Sequence, residues 1–288
     1  MLLRRAVLAT LLVAALSAGA QATAALRVNG STTVNPVVSE AAAILRAEEG
    51  LDIQVDTVGG SSGGIAALAD GRAEVAMSSR PLAERDRRRF PQADFRAVQI
   101  GSDALALVVS RDVHDSGLEC LGREQVRRLY EGEIANWRDL GGPDQRVVFF
   151  NKEPGRGTWE VFAAWLYGSA DRAPLVSLPE VGSNEEGRSK VASTRGAVTQ
   201  LSAAWADGER TFALPICTAA GAVAATAEAI EAGDYPLARP LFVVTDGEPA
   251  GAARRLIEFV LGARGQGLLA RHGYLPLASS GGVAGARP

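Results

Sequence analysis

Three short stretches of this sequence share one arrangement of residue types: glycine with serine or threonine, set between an apolar run and an amphipathic one. They are "NGSTTVNP" (29–36), "VGGSSGGIAAL" (58–68) and "NKEPGRGTWEVF" (151–162). Each reads as a strand end, a turn and a helix start. A helix start leaves about four backbone N–H groups unpaired and carries a partial positive charge. Glycine lets the backbone approach a bound group closely, and a Ser or Thr hydroxyl adds a donor. One such turn is an ordinary helix cap. Three together, one of them carrying Lys152 and Arg156, favour a site for a small anion. A fourth stretch, "SSRP" (78–81), adds Ser79 and Arg80 where a strand ends. No glycine run ends in Gly-Lys-Ser/Thr, so none is a nucleotide-binding P-loop.

A catalytic reading competes with the anion site. Gly59-Gly60-Ser61-Ser62-Gly63 matches G-x-S-x-G between a strand and a helix, the context of a hydrolase nucleophile elbow. His272 follows it downstream, with acids such as Asp246 between. Glycine-serine runs satisfy the motif cheaply, however, and only about two strands precede it. His114 lies in a polar loop and His272 at a helix end, where a cation suits the helix dipole. Two distant histidines and two distant cysteines form no metal-ligand cluster. The sequence calls for no cofactor and no catalysis.

Around these turns, short apolar runs alternate with helical patterns. "ALRVNG", "LDIQVDTV", "EVAMSS", "ALALVVS", "RVVFFN" and "PLFVVTD" read as strands. "VNPVVSEAAAILRAEE", "IAALADGRA", "REQVRRLYEGEI" and "TWEVFAAWLYG" read as helices, and "AARRLIEFVLGARGQGLLARHG" as one or two more. That alternation implies an α/β fold with a parallel or mixed sheet flanked by helices. No linker separates the halves, so two lobes, if present, must be interwoven and not strung in series.

Composition narrows the partners. Residues 1–24 have a basic start (Arg4, Arg5), a short apolar run and an Ala22-Thr23-Ala24 end, the pattern of a cleaved secretion signal. The run falls short of the roughly 20 apolar residues of a membrane span. A cut near Ala24 removes both arginines and no acid, leaving 28 basic residues against 33 acidic. Such a chain is poorly suited to nucleic acid, whose backbone demands a basic face. Cys120 and Cys217 could pair in an oxidising compartment.

Beyond these readings, the chain resembles the periplasmic phosphate-binding proteins of ABC transporters. The resemblance rests on "VNGSTTVNPV", "GGSSGGIAAL", "MSSRPL", "REQVRRLYEGEIANWRDLGG", "ASTRGAV", "YPLARPLFV" and "FVLGARGQGLLARHGYLPL", in the family's order. It implies a two-lobed periplasmic-binding-protein-like fold, each lobe a mixed sheet flanked by helices. Lobe I would hold residues 25–103 with 240–288 and lobe II residues 104–239, with two hinge crossings around "GSDAL" and "YPLARPL". It implies phosphate bound between the lobes, delivery to an ABC permease, a periplasmic location and a monomer. Thr32 and Thr33 match the family's first anion-binding turn, Ser61 its second with Ser62 beside it, and Gly157 and Thr158 its third. Arg is common in the family where this chain has Lys152, and Ser where it has Arg156. Ser79 stands where some members place an Asp that accepts the proton of phosphate. Arg156 would then restore the guanidinium fork lost at Lys152, and Glu153 or Glu160 the lost acceptor. The missing Asp leaves sulfate or molybdate, or a phosphorylated metabolite, as alternative ligands.

Overall fold

The computed structural model describes residues 25–277; the secretion signal expected over 1–24 and the tail 278–288 lie outside the described residues. The chain begins with β1 (Leu26–Gly30), α1 (Asn35–Glu49), β2 (Ile53–Asp56), α2 (Gly60–Ala69), β3 (Val75–Ser78) and α3 (Glu84–Arg89), then enters β4 (Phe95–Ser110). The middle runs through α4 (Arg111–His114), β5 (Leu121–Gly122), α5 (Arg123–Tyr130), β6 (Val148–Lys152) and α6 (Gly157–Tyr167). It continues with β7 (Glu180–Val181), α7 (Asn184–Ser193), β8 (Ala197–Ser202), β9 (Thr211–Leu214), β10 (Ile216–Thr218), β11 (Gly221–Val223) and α8 (Ala227–Glu231). β12 (Ala238–Asp246) returns to the first part, followed by α9 (Gly251–Leu261), α10 (Ala263–Arg271) and β13 (Leu275–Pro276).

The fold is two-lobed, and β4 is the strand that makes it so. At 16 residues it reaches roughly 50 Å. Residues 95–104 pair antiparallel with β12, whereas 105–110 pair with β8 and β9. The sheet order β2-β1-β3-β12-β4-β8-β6-β7 therefore changes lobes within one strand. The sequence reads only "ALALVVS" as strand here, because Gly101-Ser102-Asp103 looks like a turn. Pairing with β12 and β13 overrides that local preference. Gly101 is needed there, since a Cβ would lie 2.6 Å from the Leu275 carbonyl oxygen.

Each lobe has its own apolar core. Val37, Val38, Ala41 and Leu45 of α1 pack with β1, β3, β12, α9 and α10. Leu105, Leu107 and Val109 pack with Tyr130, Trp137, Phe149, Phe162 and Leu237. The buried residues of the four apolar clusters fall either within 26–100 and 241–274 or within 104–237. Cys120 and Cys217 form a disulfide with Cα atoms 5.2 Å apart, fastening β10 beside β5 in a small three-stranded sheet of the middle segment.

Several boundaries move for physical reasons. α2 starts at Gly60, not at Ile65, although Gly and Ser are weak helix formers. The glycines serve close packing: a Cβ on Gly64 would lie 2.5 Å from the Asn29 carbonyl oxygen, on the neighbouring strand β1. α7 has no counterpart in the sequence reading. Its one cue is Ser183 as N-cap, whose Oγ accepts from the Glu186 N–H at 3.0 Å.

Candidate functional site

The fold brings the three turns together across the boundary between the lobes. α1 and α2 present theirs from the first lobe, and α6 points its N-terminus at them from the second. Contact is close enough that a Cβ on Gly157 would collide with Ser61 Oγ and lie 2.7 Å from Ser79 Oγ. Ser62 N–H donates to the Gly155 carbonyl at 3.2 Å, so the lobes also meet backbone to backbone.

Between them lies a small cavity of about 10 Å³, about the room that one water molecule takes. Thr32, Thr33, Ser61, Ser79, Lys152, Arg156, Gly157 and Thr158 line it, with Ser31, Gly60 and Gly182 completing the wall. Hydroxyls, glycine backbone and cations thus make up the wall, and among the described residues no carboxylate lines it.

Ser62 and Arg80 are not part of that wall. The Arg80 guanidinium turns away to Asp86, at 2.6 and 3.0 Å, and to Glu160. Ser62 Oγ accepts from Arg80 at 2.9 Å and donates to Glu160 at 2.7 Å. This cluster ties the lobes together, with Arg85 adding bonds to Glu160 and, at 3.1 Å, to Asp171. Glu160 is buried there, which raises its carboxyl, while Arg80 opposes the shift. Neither Glu160 nor Glu153 lines the cavity as a substitute acceptor.

The two cations of the third turn behave differently from the sequence expectation. Arg156 does not present a free fork: its Nε and Nη2 donate to Glu153 at 2.8 and 2.6 Å, and its Nη1 to the Thr57 carbonyl at 3.3 Å. Lys152 is 1% exposed and donates to the backbone carbonyls of Gly182 at 3.1 Å and Ser183 at 2.6 Å. Burial lowers its pKa from the usual lysine value to about 7, and the charges of Arg156 and Arg239 push the same way.

Arg239 is the residue that sequence reasoning missed. It stands on β12 directly opposite Asp103 of β4, where the two crossing strands pair. Its Nε and Nη2 donate to Asp103 at 2.9 and 2.8 Å in a fully buried ion pair. The remaining donors reach Thr158 Oγ1 at 2.9 Å, Thr33 Oγ1 at 3.2 Å and Ser79 Oγ at 3.5 Å. One guanidinium therefore holds hydroxyls from all sides of the cavity. The signal was present as an arginine inside the otherwise apolar "PLARPLFVV", where burial demands a partner.

The hydrolase constellation does not assemble. Ser61 Oγ accepts from the Ser79 N–H at 3.1 Å. His272 meets Glu40 at 2.8 Å, and His114 meets Asp115 at 3.1 Å and stacks on Phe212. Among the described residues no group of His, Cys, Asp and Glu could hold a metal, and no helix is long and apolar enough to cross a membrane.

Known proteins share this architecture. The chain is 25% identical to phosphate-binding protein PstS of Bacillus subtilis over 259 residues, which covers 89% of this chain and 82% of that protein. A Clostridium perfringens protein crystallised with bound phosphate superposes with a TM-score of 0.78 at 25% identity, over 88% of this chain and 100% of the other. An ABC-type phosphate transport receptor from Vibrio cholerae gives 0.69 at 26% identity, over 88% and 100%. The model of the PBP superfamily domain matches residues 17–264, and the interlobe cavity lies wholly within that span. This chain belongs to the PBP superfamily.

Proposed function

We propose that this protein is an extracytoplasmic receptor that encloses inorganic phosphate between its lobes and hands it to an ABC permease. The observation that carries this reading is the composition of the cavity wall. Helix starts, hydroxyls and cations converge on one interlobe space, and among the described residues no carboxylate lines it. Such donors can replace the hydration of an oxyanion, and they supply no nucleophile–base pair for catalysis. Similarity to phosphate-binding relatives supports the choice of ion. The proposed ligand contacts are Thr32, Thr33, Ser61, Ser79, Lys152, Gly157 and Thr158, with Arg239 beneath them and Arg156 across the mouth.

We take residues 25–103 with 240–288 as lobe I and 104–239 as lobe II, divided where β4 passes from β12 to β8 and β9. The protein would act as a periplasmic monomer after removal of the segment ending near Ala24. Calorimetry on ligand-stripped protein with phosphate, arsenate, sulfate and molybdate tests the reading. Phosphate should bind at micromolar concentration or tighter. Binding of another oxyanion with none of phosphate at tens of micromolar would overturn it.

A further inference from the structure

The cavity holds a lysine whose ammonium makes no direct ion pair among the described residues, although Glu186 and Glu153 act on its charge. Lys152 Nζ is anchored by the Gly182 and Ser183 carbonyls, two acceptors that take two N–H bonds. One tetrahedral position of the nitrogen is left for the cavity that the side chain lines. In the ammonium form that position is a donor; in the neutral amine it is a lone pair, an acceptor. Resting on the oxyanion reading, we propose that Lys152 is the specificity residue of this site. Its neutral amine accepts the hydrogen bond of a protonated oxyanion such as phosphate or arsenate, and only its ammonium form admits an unprotonated one such as sulfate.

The surroundings support both states. The groups facing Lys152 are Arg156 and Glu153 beside α6, Arg239 on β12 with its partner Asp103 on β4, and Glu186 on α7. Arg156 is paired with Glu153 and Arg239 with Asp103, yet both guanidiniums still push the lysine pKa down, while Glu186 and Glu153 push it up. α1, α2 and the end of β3 contribute Thr32, Thr33, Ser61 and Ser79 to the wall, none of which titrates near neutrality. Among the residues of the wall, Lys152 is the one whose charge changes near neutrality, and its lowered pKa places both forms within reach near pH 7. Sulfate must meet an ammonium, since its oxygens would face a lone pair otherwise. Phosphate keeps a proton of its own above pH 7 and can give that hydrogen bond to the amine.

Calorimetry of ligand-stripped protein with inorganic phosphate and with sulfate, from about pH 7 to about pH 9, tests this. Sulfate affinity should fall about tenfold per pH unit once Lys152 loses its proton, about 100-fold in all, while phosphate affinity changes less than about threefold. Enthalpies in buffers of different ionisation heat should show sulfate binding take up about one proton near pH 8, and phosphate binding none. Lys152→Arg, which cannot become an acceptor, should flatten the sulfate profile. A phosphate profile that falls in parallel with that of sulfate overturns the proposal, as does a protein that ignores sulfate at pH 7. Absence of phosphate binding at every pH would instead remove the phosphate reading on which it rests.

Discussion

Lys152 makes the unliganded site costly to fold, and the sign of that cost follows from its shift. Its folded pKa lies near 7, below the usual lysine value of 10.5. Between those values the unfolded chain binds more protons, so stability of the empty protein should rise with pH across that window. The penalty is full below about pH 7 and gone above the unfolded value, and each pH unit contributes at most about 1.4 kcal/mol. Chemical denaturation of wild type and Lys152→Met at several pH values checks this; the variant should lack the rise. Arg239 poses a different demand, because its planar fork serves Asp103 and three hydroxyls at once. Arg239→Lys keeps the charge and loses that geometry. Phosphate affinity should drop at least about 100-fold, with about 2–4 kcal/mol of stability lost as Asp103 is left under-bonded.

At the scale of elements, the start of α6 is the wall that lobe II brings to the site. Gly157 has room for a hydrogen only, with Ser61 and Ser79 of the other lobe against it. Gly157→Ala should therefore leave lobe II intact but hold the lobes apart. Affinity should weaken roughly 10- to 100-fold, equivalent to about 1.4–2.8 kcal/mol, while the thermal midpoint without ligand shifts little. Unchanged affinity would show that α6 does not press on the cavity. The Cys120–Cys217 bond acts elsewhere, closing a loop of sequence separation 97 within the middle segment. Its reduction should cost about 2–4 kcal/mol of stability and spare ligand affinity in protein that remains folded.

Across the whole molecule, the pairs that join the lobes lie beside the cavity as well as inside it. Glu160 is the centre of that latch, held by Ser62, Arg80 and Arg85 from the other lobe. Hinge closure of this kind is an equilibrium, and contacts made only in the closed form shift it. Glu160→Gln should enlarge the radius of gyration of the empty protein in solution scattering and weaken phosphate binding about tenfold, without altering a wall that Glu160 does not line. An unchanged scattering profile would mean that the latch is idle.

The sequence alone determined what is local. The Gly/Ser/Thr turns at Thr32, Ser61 and Thr158 are legible from residue types within a few positions, and strand–helix alternation follows from apolar periodicity. Tertiary structure decided the rest, because burial and pairing depend on residues far apart in the chain. Arg239 meets Asp103 across 136 positions and Thr33 across 206, so the sequence shows a buried arginine in want of partners but not which partners it finds. Lys152 and Arg156 look alike in "NKEPGR", yet one is sealed under two carbonyls and the other is claimed by Glu153. What separates them is the direction each side chain takes from the end of β6 into α6, which the Gly182 and Ser183 carbonyls fix for Lys152 and Glu153, with Thr57 of the other lobe, fixes for Arg156.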